Sequence, residues 1–127
     1  MTRNAIATKS APPAIGPYSQ AIASGNLLFV SGQIGLDPEK GKLVDGGIAE
    51  QTQQVFRNLT AILAAAGTGF ERVVKTTVYL IDIADFRQVN EIYATFFPAP
   101  PPARSAVAVR ELPLGAEIEI EVIAQIG

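Results

Sequence analysis

The chain has 127 residues, of which 48% are hydrophobic and 17% charged, and its formal net charge is −2. A chain of this length and apolar content can bury one hydrophobic core, so we expect a single folded domain over residues 1–127. The sequence has no cysteine, no histidine and no basic cluster, which excludes disulfides, thiolate and imidazole chemistry and the charge density of a nucleic-acid groove.

Residues 1–16 contain no apolar stretch of signal-peptide length, and no apolar run in the chain is long enough to cross a membrane. We therefore expect a cytoplasmic protein without a membrane partner. Chemistry at any site must come from arginine, lysine, acidic side chains, tyrosine, serine or backbone groups.

The first predicted elements are two strands joined by a tight turn. Gly25 and Asn26 separate two apolar runs, which is typical of a two-residue β-hairpin, so strands are predicted near 18–24 and 27–33. The turn-rich segment 35–47 that follows is predicted to be a loop.

A change to helical periodicity marks the next element. Between Ile48 and Ala66 the apolar side chains recur on one stripe, and Gly67 suits the C-terminal cap of this helix. A run rich in β-branched residues at 71–82 then predicts a strand.

A second helix is predicted after that strand. Asp85 is its expected N-cap, with Gln88 as the capping-box partner, and an apolar stripe follows. The prolines at 98–102 end the helix and lead into two further strands, near 103–110 and 116–126.

The last predicted strand alternates apolar residues with Glu117, Glu119 and Glu121. The order ββαβαββ predicts an α+β fold in which one sheet carries two helices on one face. The strands at 27–33 and 71–82 are apolar on both sides, so the second face of the sheet is expected to meet another subunit. The residues alone therefore predict a homo-oligomer.

Five segments follow one another along the chain: AIGPYSQAI, FVSGQIGLDP, VVKTTVYLIDIADFRQVNEIY, PPARSAVAV and EIEIEVIA. Together they resemble the RidA family, also called L-PSP, over roughly residues 4–125. The resemblance implies a chorismate-mutase-like fold and a homotrimer with sites in the clefts between subunits. It also implies an enzyme that hydrolyses reactive 2-imino acids or their enamines, such as 2-iminobutanoate and 2-iminopropanoate, to 2-keto acids and ammonia without metal or cofactor.

Arg104 corresponds in this resemblance to the residue that binds the substrate's α-carboxylate. A guanidinium is a planar, permanently charged fork that holds a carboxylate through two hydrogen bonds, and the prolines before it would fix its direction. The alternative is a salt bridge across a subunit interface to a glutamate of the last strand.

Glu119 corresponds to the family's site glutamate. A carboxylate in a partly dry cleft can take a proton from water as a general base and then return it to nitrogen as an acid. The alternative is that Glu117, Glu119 and Glu121 form one solvated strand face.

Five further residues match family site positions. The Tyr18 hydroxyl is expected to act in catalysis by binding substrate or the attacking water, and Ser31, Gly32 and Gln33 are expected to line the cleft. Asn90 is expected beside the substrate. The alternatives are a core or interface tyrosine, a strand end that needs a glycine bend, and a solvent-facing helix amide.

Ala106 stands where many family members have cysteine. The resemblance assigns substrate contact to the backbone at this position, so alanine is expected to be compatible with activity. The proline run at 98–102 is expected to be a rigid connector, the alternative being a ligand for an SH3-type domain.

Three functions remain open at this point. The first is the cofactor-free deaminase, which needs both Arg104 and Glu119. The second is a regulatory module that binds small carboxylates such as 2-keto acids in the same clefts. The third is an RNA-cleaving or translation-inhibiting protein, an activity that family names record, and the lack of histidine and of a basic stripe counts against it.

Overall fold

The computed structural model describes residues 2–127, which form eight β-strands and two α-helices. The strands are β1 (Arg3–Ile6), β2 (Ala21–Ser24), β3 (Leu27–Gln33), β4 (Leu36–Asp37), β5 (Lys42–Leu43), β6 (Val73–Leu80), β7 (Ala103–Ala108) and β8 (Ile118–Gln125). The helices are α1 (Ile48–Ala65) and α2 (Phe86–Tyr93), and short 3₁₀ turns lie at Phe70–Arg72, Ile83–Asp85 and Pro113–Gly115.

Six strands form one mixed sheet in the order β1-β2-β3-β8-β6-β7, and β4 and β5 form a separate short hairpin. Neighbouring strands of the large sheet are antiparallel except β6 and β7. This pair is parallel because α2 carries the chain back across the sheet between them. Both helices pack against one face of the sheet around a single core cluster. The predicted α+β arrangement is therefore confirmed.

The predicted hairpin at the start of the chain is confirmed, with its turn at Gly25 and Asn26. Gly25 has a φ of 60°, in the left-handed region that favours glycine. β2 begins at Ala21 and not near residue 18, because the segment before it leaves the sheet. The buried side chain of Gln20 holds that segment through hydrogen bonds to backbone groups between residues 8 and 12.

Two small elements are not predicted by the sequence. β1 adds an edge strand that pairs with β2, and most of its residues are exposed, so it lacks an apolar pattern. The β4–β5 hairpin lies inside the segment 35–47, which the sequence predicts as a loop. Each of its strands has only two residues, too few to show a period.

The first helix is built as predicted. α1 buries a stripe that consists of Val55, Phe56, Leu59, Ile62 and Leu63. Gly67 follows the helix with a φ of 76°, and its N–H donates to the Ala64 carbonyl at 3.0 Å. The glycine thus ends the helix in the left-handed conformation that its position predicts.

The second helix forms where predicted, but its start differs. Asp85 has helical backbone angles and makes no side-chain cap hydrogen bond, so the predicted capping box with Gln88 is wrong. Asp82 instead accepts a hydrogen bond of 2.9 Å from the Ala84 N–H and caps the 3₁₀ turn ahead of the helix. The helical path therefore begins three residues earlier than the sequence suggests, and it ends before the prolines as predicted.

The register of the sheet assigns the strand residues to two faces. Thr76 and Val78 of β6 are buried beneath the helices and pair with Arg104 and Ala106 of β7, which share that helix face. The opposite face, here called the open face, carries the alternate residues. Its apolar and aromatic members include Phe29, Tyr79, Val107 and Ile123, and neither helix covers them. Phe29 and Val107 are each 44% exposed.

Candidate active site

The carboxylate of Glu119 lies against the backbone of Gly32 on the open face. β3 and β8 are neighbours, and their register slips between Val30 and Gln33, which marks a bulge. A Cβ built on Gly32 would overlap the Glu119 Oε2 atom. The lack of a side chain at Gly32 therefore lets the Glu119 carboxylate approach the β3 backbone closely, and any larger residue here would displace it.

Glu119 is half-buried, and its environment favours the protonated form. Burial raises the pKa of its carboxyl above the ordinary value of 4.5, and the nearby Glu121 charge raises it further. Glu121 itself is exposed and accepts a hydrogen bond of 2.7 Å from the Tyr79 hydroxyl. The two glutamates therefore differ in environment, which contradicts the alternative of a uniformly solvated strand face.

A cleft of about 310 Å³ opens beside Glu119. Among the predicted site residues, Tyr18, Gly32 and Gln33 line it together with Glu119. Its remaining walls are mostly apolar and consist of Pro12, Pro13, Ile15, Gln20, Ile34, Leu36, Pro113 and Leu114. A titratable carboxyl in a cleft with mostly apolar walls is an arrangement suited to binding a small molecule and moving its protons.

Tyr18 and Ser31 stand at the edge of this cleft. The Tyr18 side chain is exposed, and its hydroxyl oxygen accepts a hydrogen bond of 3.3 Å from the Ile15 N–H. The Ser31 hydroxyl donates to the Ser19 carbonyl at 2.6 Å, and Ser31 lines a neighbouring shallow pocket with Tyr18. Ser31 thus ties the Tyr18 loop to β3 and does not face Glu119 in the cleft.

Arg104 is held in place on the helix face by three side chains of α2. Its Nη1 donates a hydrogen bond of 2.7 Å to Asn90 Oδ1. Its guanidinium carbon lies 4.9 Å from the ring centre of Phe86 and 4.7 Å from that of Tyr93, which is cation–π distance. Asn90 is therefore an anchor for Arg104, not the freely solvated amide of the alternative interpretation.

The rings around Arg104 are themselves anchored in the core. Tyr93 is buried, and its hydroxyl shares a hydrogen bond of 2.8 Å with the Thr76 hydroxyl. Burial raises the pKa of Tyr93, while Thr76 and the Arg104 charge oppose that shift. The exposed guanidinium thus stands on a rigid base with its free edge available to a ligand.

Arg104 and Asn90 line a second cavity, of about 560 Å³. Pro101 and Pro102 form part of its wall, so the proline run connects α2 to β7 as a rim beside Arg104. Ala106 follows on the same side of β7 and is half-buried.

The structure divides the predicted site residues between two places, with Glu119 on the open face and Arg104 on the helix face. Gln33, the last residue of β3, pairs with Ile120 of the helix face but reaches the Glu119 cleft. Tyr18, Gly32, Gln33 and Glu119 form one group, and Arg104 with Asn90 and Ala106 forms the other. The cavity beside Arg104 is not lined by Glu119, and the cleft beside Glu119 is not lined by Arg104. A single chain therefore presents two half-sites.

Sequence reasoning missed the aromatic clamp on Arg104. Phe86 and Tyr93 are assigned by the sequence only to the core stripe of the second helix. A signal was present, since positions 86, 90 and 93 are spaced to lie on one side of a helix.

Within residues 2–127, no three acidic, histidine or cysteine side chains are arranged as metal ligands. Over the same residues, no helix has both the length and the apolar character needed to span a bilayer.

A six-stranded mixed sheet with two helices on one face defines a small α+β protein, which carries a half-buried carboxyl at Glu119 and a clamped guanidinium at Arg104. A family model described as Endoribonuclease L-PSP matches residues 8–126. The chain belongs to this L-PSP family, the family also called RidA.

Curated relatives match the chain closely. It is 55% identical to 2-iminobutanoate/2-iminopropanoate deaminase of Rattus norvegicus over 98% of its length and 91% of that protein. It is also 55% identical to Reactive Intermediate Deaminase A, chloroplastic, of Arabidopsis thaliana, over 96% of the chain. The match spans 65% of the Arabidopsis protein, so that relative is longer.

Solved structures share the fold. The crystal structure of YyfA from Yersinia pestis, described as a protein of unknown function of the conserved Rid protein family, superimposes with a TM-score of 0.96. The two chains are 49% identical, and the match covers 98% of this chain and 100% of that one.

Proposed function

We propose that this protein is a cofactor-free deaminase that hydrolyses small 2-imino acids, or their enamine tautomers, to 2-keto acids and ammonia. Curated relatives at 55% identity carry the names of deaminases for 2-iminobutanoate, 2-iminopropanoate and reactive intermediates. The observation that carries the proposal is the pair of half-sites, a fixed cation at Arg104 and a proton-exchanging carboxyl at Glu119. The proposed catalysis uses the first group to bind the substrate carboxylate and the second to move protons between water and nitrogen.

The complete site is proposed to lie between subunits of a homotrimer with a chorismate-mutase-like assembly. Arg104 and Glu119 lie on opposite faces of one sheet, so one chain cannot bring both to a single substrate. We propose that a neighbour packs on the exposed apolar open face and brings its Arg104 beside the Glu119 cleft. Burial of Phe29 and Val107 would favour that packing.

In the proposed reaction Arg104 binds the α-carboxylate and orients the C=N bond toward Glu119. The Glu119 carboxylate takes a proton from water, and the resulting hydroxide attacks the imine carbon to give a tetrahedral carbinolamine. Protonated Glu119 passes that proton to nitrogen, then takes the hydroxyl proton of the carbinolamine and delivers it to the same nitrogen. The C–N bond breaks, and ammonia leaves as the carbonyl forms. One water is consumed, and no electrons are exchanged with any cofactor.

The remaining predicted residues support these two groups. The Tyr18 hydroxyl and the backbone from Ser31 to Gln33 would position water and substrate on the Glu119 side. Asn90 fixes the guanidinium through its 2.7 Å hydrogen bond, and the backbone at Ala106 continues the surface beside it. The raised pKa of Glu119 suits a group that must act as base and then as acid.

Two other properties belong to the same proposal. We keep the chain as one domain over residues 1–127 and its location as cytoplasmic, although the Arabidopsis relative is named as chloroplastic. The L-PSP family is described as an endoribonuclease family, but the chain has no histidine and a net charge of −2, which do not suit RNA cleavage.

The test is an imine-trapping assay. A threonine dehydratase acting on threonine releases the imine, and semicarbazide competes with hydrolysis for it, so an active deaminase lowers the yield of trapped imine. We expect trapping to fall in proportion to added protein. Unchanged trapping, together with a melting temperature raised by 2-keto acids, would support the regulatory carboxylate-binding module instead.

A further inference from the structure

Two aliphatic side chains at the Glu119 cleft are unusually exposed. Ile15 is 79% exposed and Leu114 is 71% exposed, the highest values among the large hydrophobic residues of the described chain. Both line the same cleft as Glu119. Single exposed aliphatic residues are common on protein surfaces, but two that flank a titratable carboxyl indicate a surface kept apolar for a ligand.

The backbone at Leu114 is held in a conformation that leucine disfavours. Its φ of 58° and ψ of 20° lie in the left-handed region, and it is the single non-glycine residue with positive φ among residues 2–127. Gly115 follows with a φ of 74°. A strained backbone beside a functional group points to a local role for the side chain that it presents.

The wall opposite Leu114 is fixed by the N-terminal segment. The buried Gln20 amide donates to the carbonyls of Ala11 at 3.3 Å and Pro12 at 2.7 Å. The Ile15 N–H donates to the Tyr18 hydroxyl. Ile15 and the prolines near it therefore stand at a set position in the wall of the cleft that Pro113 and Leu114 also line.

From this arrangement we infer that Leu114, with Ile15, forms an apolar wall that selects the substrate side chain and favours 2-imino acids with longer or branched aliphatic groups. This inference rests on the proposed function. With the reacting carbon at Glu119 and the carboxylate held by a neighbouring Arg104, the third substituent of the substrate is the one left to meet the apolar wall. Burial of an aliphatic group against Leu114 and Ile15 then stabilises the complex.

Two substitutions at position 114 separate the side chain from the backbone. Leu114→Gly removes the side chain and suits the positive φ. Leu114→Asn keeps a side chain of the same branched shape, tolerates the left-handed conformation and makes the wall polar. The matched control is Ile83→Ser, because Ile83 is also aliphatic and 53% exposed but lines none of the cavities described.

The readout is the ratio of kcat/KM for two imines, which an L-amino-acid oxidase generates from leucine and from alanine in the presence of semicarbazide. We expect the unsubstituted protein to prefer the leucine-derived imine. Both Leu114 variants should lose at least fivefold of that preference, whereas Ile83→Ser should keep it within twofold.

Other results would overturn the inference. An unchanged ratio in the Leu114 variants, an equal loss in Ile83→Ser, or no preference in the unsubstituted protein refutes the selecting wall while the proposed deaminase stands. Dissociation of the assembly by Leu114→Gly, measured by light scattering, would show that Leu114 belongs to a subunit interface. Hydrolysis of neither imine would remove the proposed function and this inference with it.

Discussion

The carboxylate of Glu119 occupies the space in which a side chain at position 32 would begin. Gly32 lies on the bulged part of β3, and Glu119 lies on the adjacent strand β8. The position of the carboxyl is therefore set by the absence of a side chain on its neighbour.

Gly32→Ala should displace the Glu119 carboxylate and lower kcat by at least about tenfold, because the added Cβ and Oε2 cannot share one space. Steady-state hydrolysis of dehydratase-generated imine measures the loss. Gly47→Ala is the control, since a Cβ at Gly47 meets nothing within 4 Å. Full activity in Gly32→Ala would mean that the carboxyl is free to act from another position.

Glu119→Gln should lower kcat by about 100-fold or more, because an amide cannot exchange the proton that hydrolysis needs. Glu121→Gln should leave turnover at neutral pH nearly unchanged. In Glu121→Gln the acid limb of the pH–rate profile should lie at lower pH than in the unsubstituted protein, because the Glu121 charge helps to raise the pKa of Glu119. Equal loss of kcat in the two variants would contradict the assignment of separate roles.

The raised pKa of Glu119 also predicts a dependence of stability on pH. The folded state holds the proton more tightly than the unfolded chain does, so the free energy of unfolding falls as pH rises from about 4.5 through the folded-state pKa. Glu119→Gln should therefore melt at a higher temperature than the unsubstituted protein at pH 7, and the difference should shrink below pH 4. Melting curves between pH 3 and pH 8 measure this. The exposed Glu39→Gln should show no such gain, and a gain of equal size there would refute the prediction.

Arg104→Lys should weaken substrate binding by about 2–5 kcal/mol, which is the cost of breaking a desolvated charge pair and corresponds to a KM raised about 30-fold or more. Lysine keeps the charge but loses the planar fork and its fit between Phe86 and Tyr93. Kinetics with 2-iminobutanoate measure the change, and Arg110→Lys is the control. Unchanged KM in Arg104→Lys would favour a purely structural arginine, such as the interface salt bridge that the sequence leaves open.

Val107→Asp should dissociate the proposed trimer, because Val107 lies on the open face and is 44% exposed in the single chain. Light scattering should report a monomer, circular dichroism should remain that of the folded chain, and deaminase activity should disappear. Ile83→Asp places the same charge on an exposed aliphatic position outside the strands and should leave the assembly intact. A trimer that survives Val107→Asp would place the interface elsewhere.

Much of the fold follows from local patterns in the sequence. The hairpin at Gly25 and Asn26, the stripe of α1 and the alternation in β8 each lie within a dozen or so residues, and each is confirmed. β1 is missed because it is short and mostly exposed, and the β4–β5 hairpin is missed because each of its strands has only two residues. Tertiary pairing decides the conformation of both.

The candidate site can be predicted only in part from the sequence, because its geometry depends on pairing between strands that are distant in the chain. The alternation along β8 places Glu119 opposite the core, but the face occupied by Arg104 depends on the parallel pairing of β7 with β6, a long-range register that no local pattern encodes. The clamp of Phe86 and Tyr93 on Arg104 depends on the same pairing.

The placement of Arg104 and Glu119 on opposite faces has a consequence in the proposed ring of three. Each protomer would contribute Arg104 to one subunit interface and Glu119 to the other, so every active site would contain residues from two copies of the chain. A copy damaged at both positions would silence two of the three junctions of a mixed trimer, so the activity of a mixture would fall below the fraction of intact copies in it.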